Sequence, residues 1–408
     1  MPDNQDILAS EEYSVIYFGN DWKAENRTSS HHVASRLARR MRLLYVDCPG
    51  LRPPALTSRD FHRALRKIGE TLRGPRRIGE QMWHCTLPQI PLARAAVVRS
   101  FNLWLAGKLL LRWLEGLGWR RLISWFVVPH PWFLARQLGE DYVVYYCTDD
   151  YSALPGVDRD AVARMDEELT RRADQIFAVS EPLVQAKRAL NPATAYAPHG
   201  VDYELFAMAS DPDTEPVAQA ARLPRPVIGY FGVVNARLDM ELLEYLCKSR
   251  PNWSFLLVGR TAPEASVLRN LPNVILPGPQ PYESLPRWAC VFDVAILPYL
   301  RDRQGLTANP LKLREYLATG KPVVSVPTPA VEPLAHCVRL ATTPQEFLDQ
   351  IEDALRNDTP GERRARQAAV AGMSWEARVA ETLALIQEGL ARKKAQRAGD
   401  EAHTVRSP

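Results

Sequence analysis

The stretch NPLKLREYLATGKPVV, residues 309–324, joins a helix directly to a buried strand. Asn309 is a good N-cap, and Pro310 suits the first helical position, where a missing N–H costs nothing. Gly320 is a natural C′ residue that stops the helix. Residues 322–326 (PVVSV) are then a short apolar run, the pattern of a strand in a parallel sheet. Leu313 and Leu317, four apart, face the core, and Lys312 and Glu315 share the opposite face with Tyr316. Lys312 is the anomaly. The helix dipole places partial positive charge at the N-terminus and favours Asp or Glu there. Instead the first turn carries a lysine, with Arg301 and Arg303 in the loop before it. One reading is a solvated lysine paired with Glu315. The other is an anion site where free N–H groups, the dipole and Lys312 meet a phosphate.

The same strand–helix alternation extends outward from this stretch. Residues 227–231 (VIGYF), 255–258 (FLLV), 274–276 (VIL), 293–297 (DVAIL) and 323–326 (VVSV) read as strands, with a helix over 240–247. An earlier series contains 14–18 (SVIYF), 43–47 (LLYVD), 122–128 (LISWFVV), 142–147 (YVVYYC) and 176–179 (IFAV), with helices over 31–40, 159–173 and 181–190. Alternation of this kind implies parallel sheets flanked by helices. The expected organisation is a first Rossmann-like domain over 1–206, a Pro- and Asp-rich linker over 207–225 and a second domain over 226–372. An amphipathic helix over 373–392 closes back on the first domain, and a polar tail over 393–408 is expected to be disordered. In open α/β sheets ligands sit beyond the carboxyl ends of the strands, so two such domains place a site in the cleft between them. The helix of 309–320 opens at such an end, after DVAILP and the loop YLRDRQGLTA.

Composition narrows the function classes. A chain of 408 residues with 46% hydrophobic and 24% charged residues is an ordinary soluble globular protein. A formal charge of +4 gives no ground for nucleic acid as a partner. The six cysteines are dispersed, with no C-x-x-C pair, so neither zinc nor a disulfide framework is indicated, and a reducing, cytoplasmic setting fits. The start, MPDNQDILASEEY, is polar and acidic and does not read as a signal peptide. FNLWLAGKLLLRWLEGLGW is interrupted by Lys108, Arg112 and Glu115 and does not read as a membrane span. Neither G-x-G-x-x-G nor G-x-x-x-x-G-K-[ST] is present, which removes support for dinucleotide enzymes and P-loop NTPases. GYFG, residues 229–232, ends the first strand of the second domain. Its glycines let phosphates approach the backbone, and Arg237 adds charge.

With LKLREYLATGKPVV, PHGVD (198–202), IGYFG (228–232), LPRWACVFDVAILPY (285–299) and WEARV (375–379), the chain resembles the glycosyltransferases of the GT-B type, family 4 or group 1. Among these it is similar to the bacterial cell-surface polysaccharide enzymes of the teichuronic-acid kind. The resemblance runs from about residue 13 to about residue 390. It implies an α/β fold of two Rossmann-like parallel-sheet domains facing a central cleft, with a nucleotide diphosphate sugar, UDP- or GDP-linked, as donor substrate and no other cofactor. By the resemblance, Glu315 matches the glutamate that holds the donor ribose, and Lys312 lies one turn earlier, near the diphosphate. PGPQPYESL (277–285) matches the base-holding region, where Tyr282 either stacks on the base or packs in the core. Gly232 and Arg237 complete the donor set. Three positions depart from the family pattern. Thr307 stands where a glutamate is common, eight residues before the ribose-binding one. Val233 and Leu238 stand where arginine and lysine are common.

The first domain is then expected to hold the acceptor. VVPHPW (127–132) puts His130 past a strand, resembling the histidine that many family members place near the reacting sugar. YYCTDDYSALPG (145–156) puts Asp149 and Asp150 past the next strand. Asp149 is the candidate base for an acceptor hydroxyl, against the alternative that the pair caps a turn. In the loop GNDWKAENRTSSHH (19–32), Trp22 and His32 are acceptor candidates, Trp22 offering an indole face to a sugar ring. Between Arg59 and Arg77, seven basic residues are interleaved with Phe61, Leu65, Ile68 and Leu72 at helical spacing. Such an element either lies on an anionic membrane surface or packs as a solvated helix on its own domain. The expected activity is sugar transfer to a glycan or lipid-linked acceptor for cell-surface polysaccharide, without metal, in the cytoplasm or at the inner face of the plasma membrane. The alternatives are a nucleotide-sugar 2-epimerase of the same architecture and a non-catalytic nucleotide-sugar-binding protein.

Overall fold

The computed structural model describes residues 8, 13–24, 27–48, 69–71, 73–87 and 96–404, with backbone alone at 96–103 and 399–404. The first domain is built on β1 (Ser14–Gly19), β2 (Leu43–Asp47), β3 (Arg76–Arg77), β4 (Met82–Thr86), β5 (Leu122–Phe126), β6 (Tyr142–Cys147), β7 (Gln175–Ala178) and β8 (Thr194–Tyr196). They form one sheet in the order β3-β4-β2-β1-β5-β6-β7-β8. Every pairing is parallel except β3 with β4 at the edge. The apolar runs are covered on both faces, as their lack of alternation requires. Ser29–Leu37 (α1), Ala96–Leu117 (α2), Arg159–Arg172 (α3) and Glu181–Arg188 (α4) are the helices of this half. Strand β4, MWHCT, escaped the sequence reading because its apolar residues are interrupted by His84 and Thr86.

The second sheet is wholly parallel, in the order β11-β10-β9-β12-β13-β14. Its strands are β9 (Val227–Phe231), β10 (Ser254–Val258), β11 (Val274–Ile275), β12 (Val294–Leu297), β13 (Val323–Ser325) and β14 (Arg339–Leu340). Met240–Ser249 (α5), Leu311–Ala318 (α6), Pro344–Asn357 (α7) and Pro360–Ala371 (α8) flank it. The two-domain α/β architecture facing a central cleft is the one the resemblance implies.

The domain margins differ from the expected ones. Val201, Phe206, Ala209 and Ala220 pack in the core of the second domain. That core therefore takes up residues from both the expected first domain and the expected linker, which is organised into short helical turns at Tyr203–Ala207, Met208–Ser210 and Ala218–Ala221. The closing helix α9 runs from Trp375 to Thr404. Trp375, Val379, Leu383, Ile386 and Leu390 pack in the first domain's core. Residues 393–404 continue the helix rather than forming a disordered tail. Their Ala, Lys, Arg and Gln content favours helix, and Lys393 Nζ anchors the segment on Asp174 at 3.0 Å and the Asp141 carbonyl at 2.8 Å.

Among the described residues no helix is long and apolar enough to cross a membrane. Of the basic stretch 59–77, residues 59–68 and 72 lie outside the described residues. Arg76 and Arg77 form β3 rather than a helix.

Candidate functional site

Helix α6 is set differently from the sequence reading at its start. Pro310, extended at φ −68° and ψ 123°, takes the N-cap position with no side-chain cap. Asn309 is drawn away: its amide nitrogen donates to the Val179 carbonyl of the first domain at 2.5 Å, and its oxygen accepts from Arg314 at 2.6 Å. It ties the two domains together instead of capping. Gly320, at φ +70°, ends the helix as expected. Tyr316 is not on the cleft face. It is fully buried, and its hydroxyl accepts the Phe231 backbone N–H at 2.8 Å. Arg314, also buried, has its pKa lowered to about 10 by desolvation. That leaves Leu311, Lys312 and Glu315 as the helix's contribution to the cleft.

The cleft encloses about 480 Å³. Its second-domain wall is formed beyond the carboxyl ends of β9, β10, β12 and β13, by Gly232, Gly259, Tyr299 and Ser325 with α6 beside them. Gly232 sits at φ +136°, and a Cβ there would run into Lys312 Cε. The backbone angle favours glycine here, and the lysine arm passes close over it. Lys312 Nζ lies 5.7 Å from the Tyr230 ring centroid. Among the described residues Lys312 forms no ion pair, Glu315 included. Glu315 is 6% exposed, and Tyr282 donates to its Oε1 at 3.3 Å. Burial raises its pKa to about 7, against the lowering effect of Lys312 and the Tyr282 hydrogen bond. Tyr282 is held edge-on by Phe206 at 5.6 Å and tilted against His32 at 5.1 Å. Its hydroxyl reaches Glu315, and the residue, half-buried, lines the cleft.

The first-domain wall contains Asn20, Arg27, Thr148, Asp149, Tyr151 and His199. Two acidic residues reach across to the second domain. Asp149 Oδ2 accepts from Arg237 at 2.8 Å, and Asp150 Oδ2 from Arg303 at 2.7 Å. With its amide oxygen turned inward, Gln304 also accepts from Arg237, at 2.5 and 3.2 Å. Asp150 in addition caps the turn Tyr151–Ala153 through Ser152. Asp149 is different. Burial raises its pKa against the pull of Arg237, and its Oδ1 is buried with no hydrogen-bond partner among the described residues.

The structure thus brings Gly232, Arg237, Tyr282, Lys312, Glu315 and Asp149 to one cleft. Trp22, His32 and His130 do not line it. Trp22 packs in its own domain against Tyr45 at 4.9 Å and His31 at 5.4 Å, and its backbone N–H donates to Asp47 at 2.8 Å. His32 is 3% exposed and stacks parallel on Trp375 at 4.8 Å. Desolvation, with Arg36 and Arg27 nearby, lowers its pKa to about 3, so its 3.4 Å contact with Asp202 is not an ion pair at neutral pH. The acceptor assignments of Trp22 and His32 do not fit these placements: hydrophobic packing has claimed both rings. His130 is half-buried in the turn after β5. Sequence reasoning missed Arg27, Thr148, His199 and Gly259 as lining residues. His199 lay inside the quoted PHGVD motif without a role. Gly259 directly follows the FLLV strand, a signal that was available.

Residues 225–357 match the family described as glycosyl transferases group 1. The Bacillus subtilis (strain 168) protein named "Putative teichuronic acid biosynthesis glycosyltransferase TuaH" is 29% identical over 226 residues. That match covers 52% of this chain and 56% of the relative, so the chain matches little more than half of the relative's length. Among solved structures, the sucrose-phosphate synthase of Thermosynechococcus elongatus superposes with a TM-score of 0.66 at 16% identity, covering 93% of this chain and 99% of that one. The trehalose-6-phosphate synthase OtsA gives 0.67 at 12%, with the same coverage. Anabaena Alr3699/HepE, determined in complex with UDP and glucose, gives 0.63 at 13%, covering 91% and 99%. At these identities the likeness is one of fold, the GT-B arrangement of two α/β domains.

Proposed function

This chain carries a group 1 glycosyltransferase domain on a GT-B fold, and we propose that it transfers a sugar from a UDP- or GDP-linked donor to a glycan or lipid-linked acceptor in cell-surface polysaccharide biosynthesis. The observation that carries this reading is the convergence of Gly232, Lys312, Arg237 and Glu315 on one wall of a single cleft. A lysine at a helix N-terminus that forms no ion pair among the described residues, beside a glycine at φ +136°, suits a diphosphate. A buried carboxylate one turn further in, already accepting from a tyrosine, suits a diol such as ribose. TuaH and HepE support the reading through what their names state, a teichuronic acid biosynthesis glycosyltransferase and a complex with UDP and glucose.

In the transfer, the bond between the anomeric carbon and the diphosphate oxygen breaks and a bond to the acceptor hydroxyl oxygen forms. Lys312, Arg237 and the α6 N-terminus stabilise the charge left on the diphosphate. Asp149 is the only carboxylate that the described part of the first domain presents to the cleft. It accepts the hydrogen of the incoming hydroxyl. The cations hold the leaving group without a metal ion. The setting proposed is the cytoplasmic face of the envelope membrane, where a lipid-linked acceptor is within reach.

The test is calorimetry and thermal shift with UDP, GDP and their nucleosides, followed by turnover of the matching nucleotide sugar with EDTA present. One diphosphate is expected to bind, adding about 2.7 kcal/mol of stability at 100 Kd. Failure of both diphosphates to bind overturns the reading. Epimerisation of the free nucleotide sugar without acceptor would replace it with the epimerase.

A further inference from the structure

Arg237 and Asp149 belong to opposite walls of the cleft, yet they are joined at 2.8 Å. Arg237 stands beyond β9, beside the groups that suit a diphosphate, and its side chain is 42% exposed. Asp149 is the buried partner, at 15% side-chain exposure. A carboxylate therefore already occupies one cation of the anion site. Asp149 is half satisfied: Oδ2 takes Arg237, while the buried Oδ1 has no partner among the described residues. A buried polar atom without a partner is costly, and a ligand contact at Oδ1 would relieve that cost. The neighbouring pair, Asp150 with Arg303, spans the same gap but lies outside the cleft lining, and Asp150 spends its other oxygen on a turn. Two similar bridges across one gap thus have different surroundings.

We infer that Asp149 is a stand-in for the donor: its carboxylate holds Arg237 until the donor diphosphate displaces it, which turns Asp149 toward the acceptor hydroxyl only once donor is bound. This rests on the proposed nucleotide-sugar reading and adds an order to it, donor before acceptor. The exchange is between one anion and another on the same guanidinium, so it preserves the charge pairing of Arg237. A diphosphate offers more charge and more acceptor oxygens than one carboxylate, which lets it win the exchange. Before the donor arrives, Asp149 is tied down and unavailable to a hydroxyl.

The latch makes an unusual demand. Removing the negative charge at Asp149 must improve binding of the donor's phosphates, because a competitor disappears. Binding is measured by calorimetry on the full chain with inorganic pyrophosphate, UDP and GDP. Asp149→Asn is expected to tighten pyrophosphate and the cognate diphosphate by three- to tenfold, with the cognate nucleoside unchanged. In an Arg237→Met background the same substitution is expected to have no effect. Asp150→Asn, at the sister bridge, is expected to leave pyrophosphate affinity unchanged. Unchanged or weaker binding in Asp149→Asn overturns the latch, as does an equal gain in Asp150→Asn, which would report only a looser closure of the domains. If the wild-type protein binds a nucleoside diphosphate but Asp149→Asn shows no gain, the latch alone fails. If no diphosphate binds either protein, the nucleotide-sugar reading fails with it.

Discussion

On the second-domain wall of the cleft, the charged groups of α6 are held ready but uncommitted: Lys312 forms no ion pair among the described residues, and Glu315 carries a single 3.3 Å hydrogen bond from Tyr282. On the first-domain wall the two charged lining residues are already engaged across the gap, Asp149 by Arg237 at 2.8 Å and Arg27 by Glu283 at 3.7 Å. The second-domain wall is preorganised on a sheet, beyond strand ends and a helix terminus, where backbone geometry places each group. The first-domain wall consists of loops whose charges find partners in the opposite domain. The two walls thus differ in how their charges are held, one set open to a ligand and the other tied across the gap.

The largest effect is expected at the uncommitted carboxylate. Glu315→Gln removes a charged acceptor of ribose hydroxyls, a loss of about 1.5–3 kcal/mol, or roughly tenfold to a hundredfold in affinity for both the nucleoside and its diphosphate. Its titration sharpens the claim. Burial raises the carboxyl to about 7 in the fold, whereas an exposed Glu titrates near 4.3. The folded protein therefore holds this proton more tightly than the unfolded chain. The group's stabilising contribution is complete below about pH 4 and is lost as pH rises through 7. Ribose needs the ionised form, so nucleoside affinity should be full above pH 7 and fall up to about tenfold per unit below it. A flat profile from pH 5 to 8 in the wild-type protein, measured by calorimetry, would remove Glu315 from the ribose.

A smaller effect separates the two walls from the joint between them. His32→Ala deletes a ring stacked on Trp375 at 4.8 Å in a site 3% exposed. The lost aromatic contact and incomplete collapse should cost about 1–2 kcal/mol. The expected result is a lower midpoint of thermal unfolding with the acceptor KM unchanged. A raised acceptor KM at an unchanged midpoint would return His32 to the acceptor wall.

What was legible in the sequence follows the same division. The strands of the second domain, Gly320 as the helix stop and the paradox of Lys312 could be read locally, because propensity, dipole and periodicity all act within a few residues. The same local logic misplaced Asn309, whose side chain was claimed by Val179 of the first domain, 130 positions away. It misplaced Tyr316, because helical spacing cannot show that a face pointing away from Leu313 is buried too. Trp22 and His32 looked free in a polar loop, but Tyr45 and Trp375 are brought to them only by the fold. Arg237 was marked for a phosphate, while its bridge to Asp149 joins residues 88 apart and could not be seen in either stretch.

The smallest effect is expected where the sequence first looked wrong. A cation in the first turn of a helix should cost about 0.3–1 kcal/mol through the dipole, so Lys312→Ala would stabilise the ligand-free protein if the dipole acted alone. The structure adds an opposing contact. Lys312 Nζ lies 5.7 Å from the centroid of the Tyr230 ring, and its arm passes over Gly232. A cation–π contact of this kind is worth about 0.5–1 kcal/mol. The two terms are of similar size and opposite sign, so the unfolding free energy of Lys312→Ala should stay within about 0.5 kcal/mol of wild type. Binding should not share this cancellation. Pyrophosphate and the cognate diphosphate should weaken roughly three- to tenfold, since one of two cations facing the charge is gone, while the nucleoside should bind as before. Denaturant unfolding and calorimetry on one variant therefore answer together. Weakened diphosphate binding at constant stability places Lys312 on the donor, whereas a gain in stability with diphosphate affinity intact makes it a surplus charge at a helix end and removes the contrast between the walls.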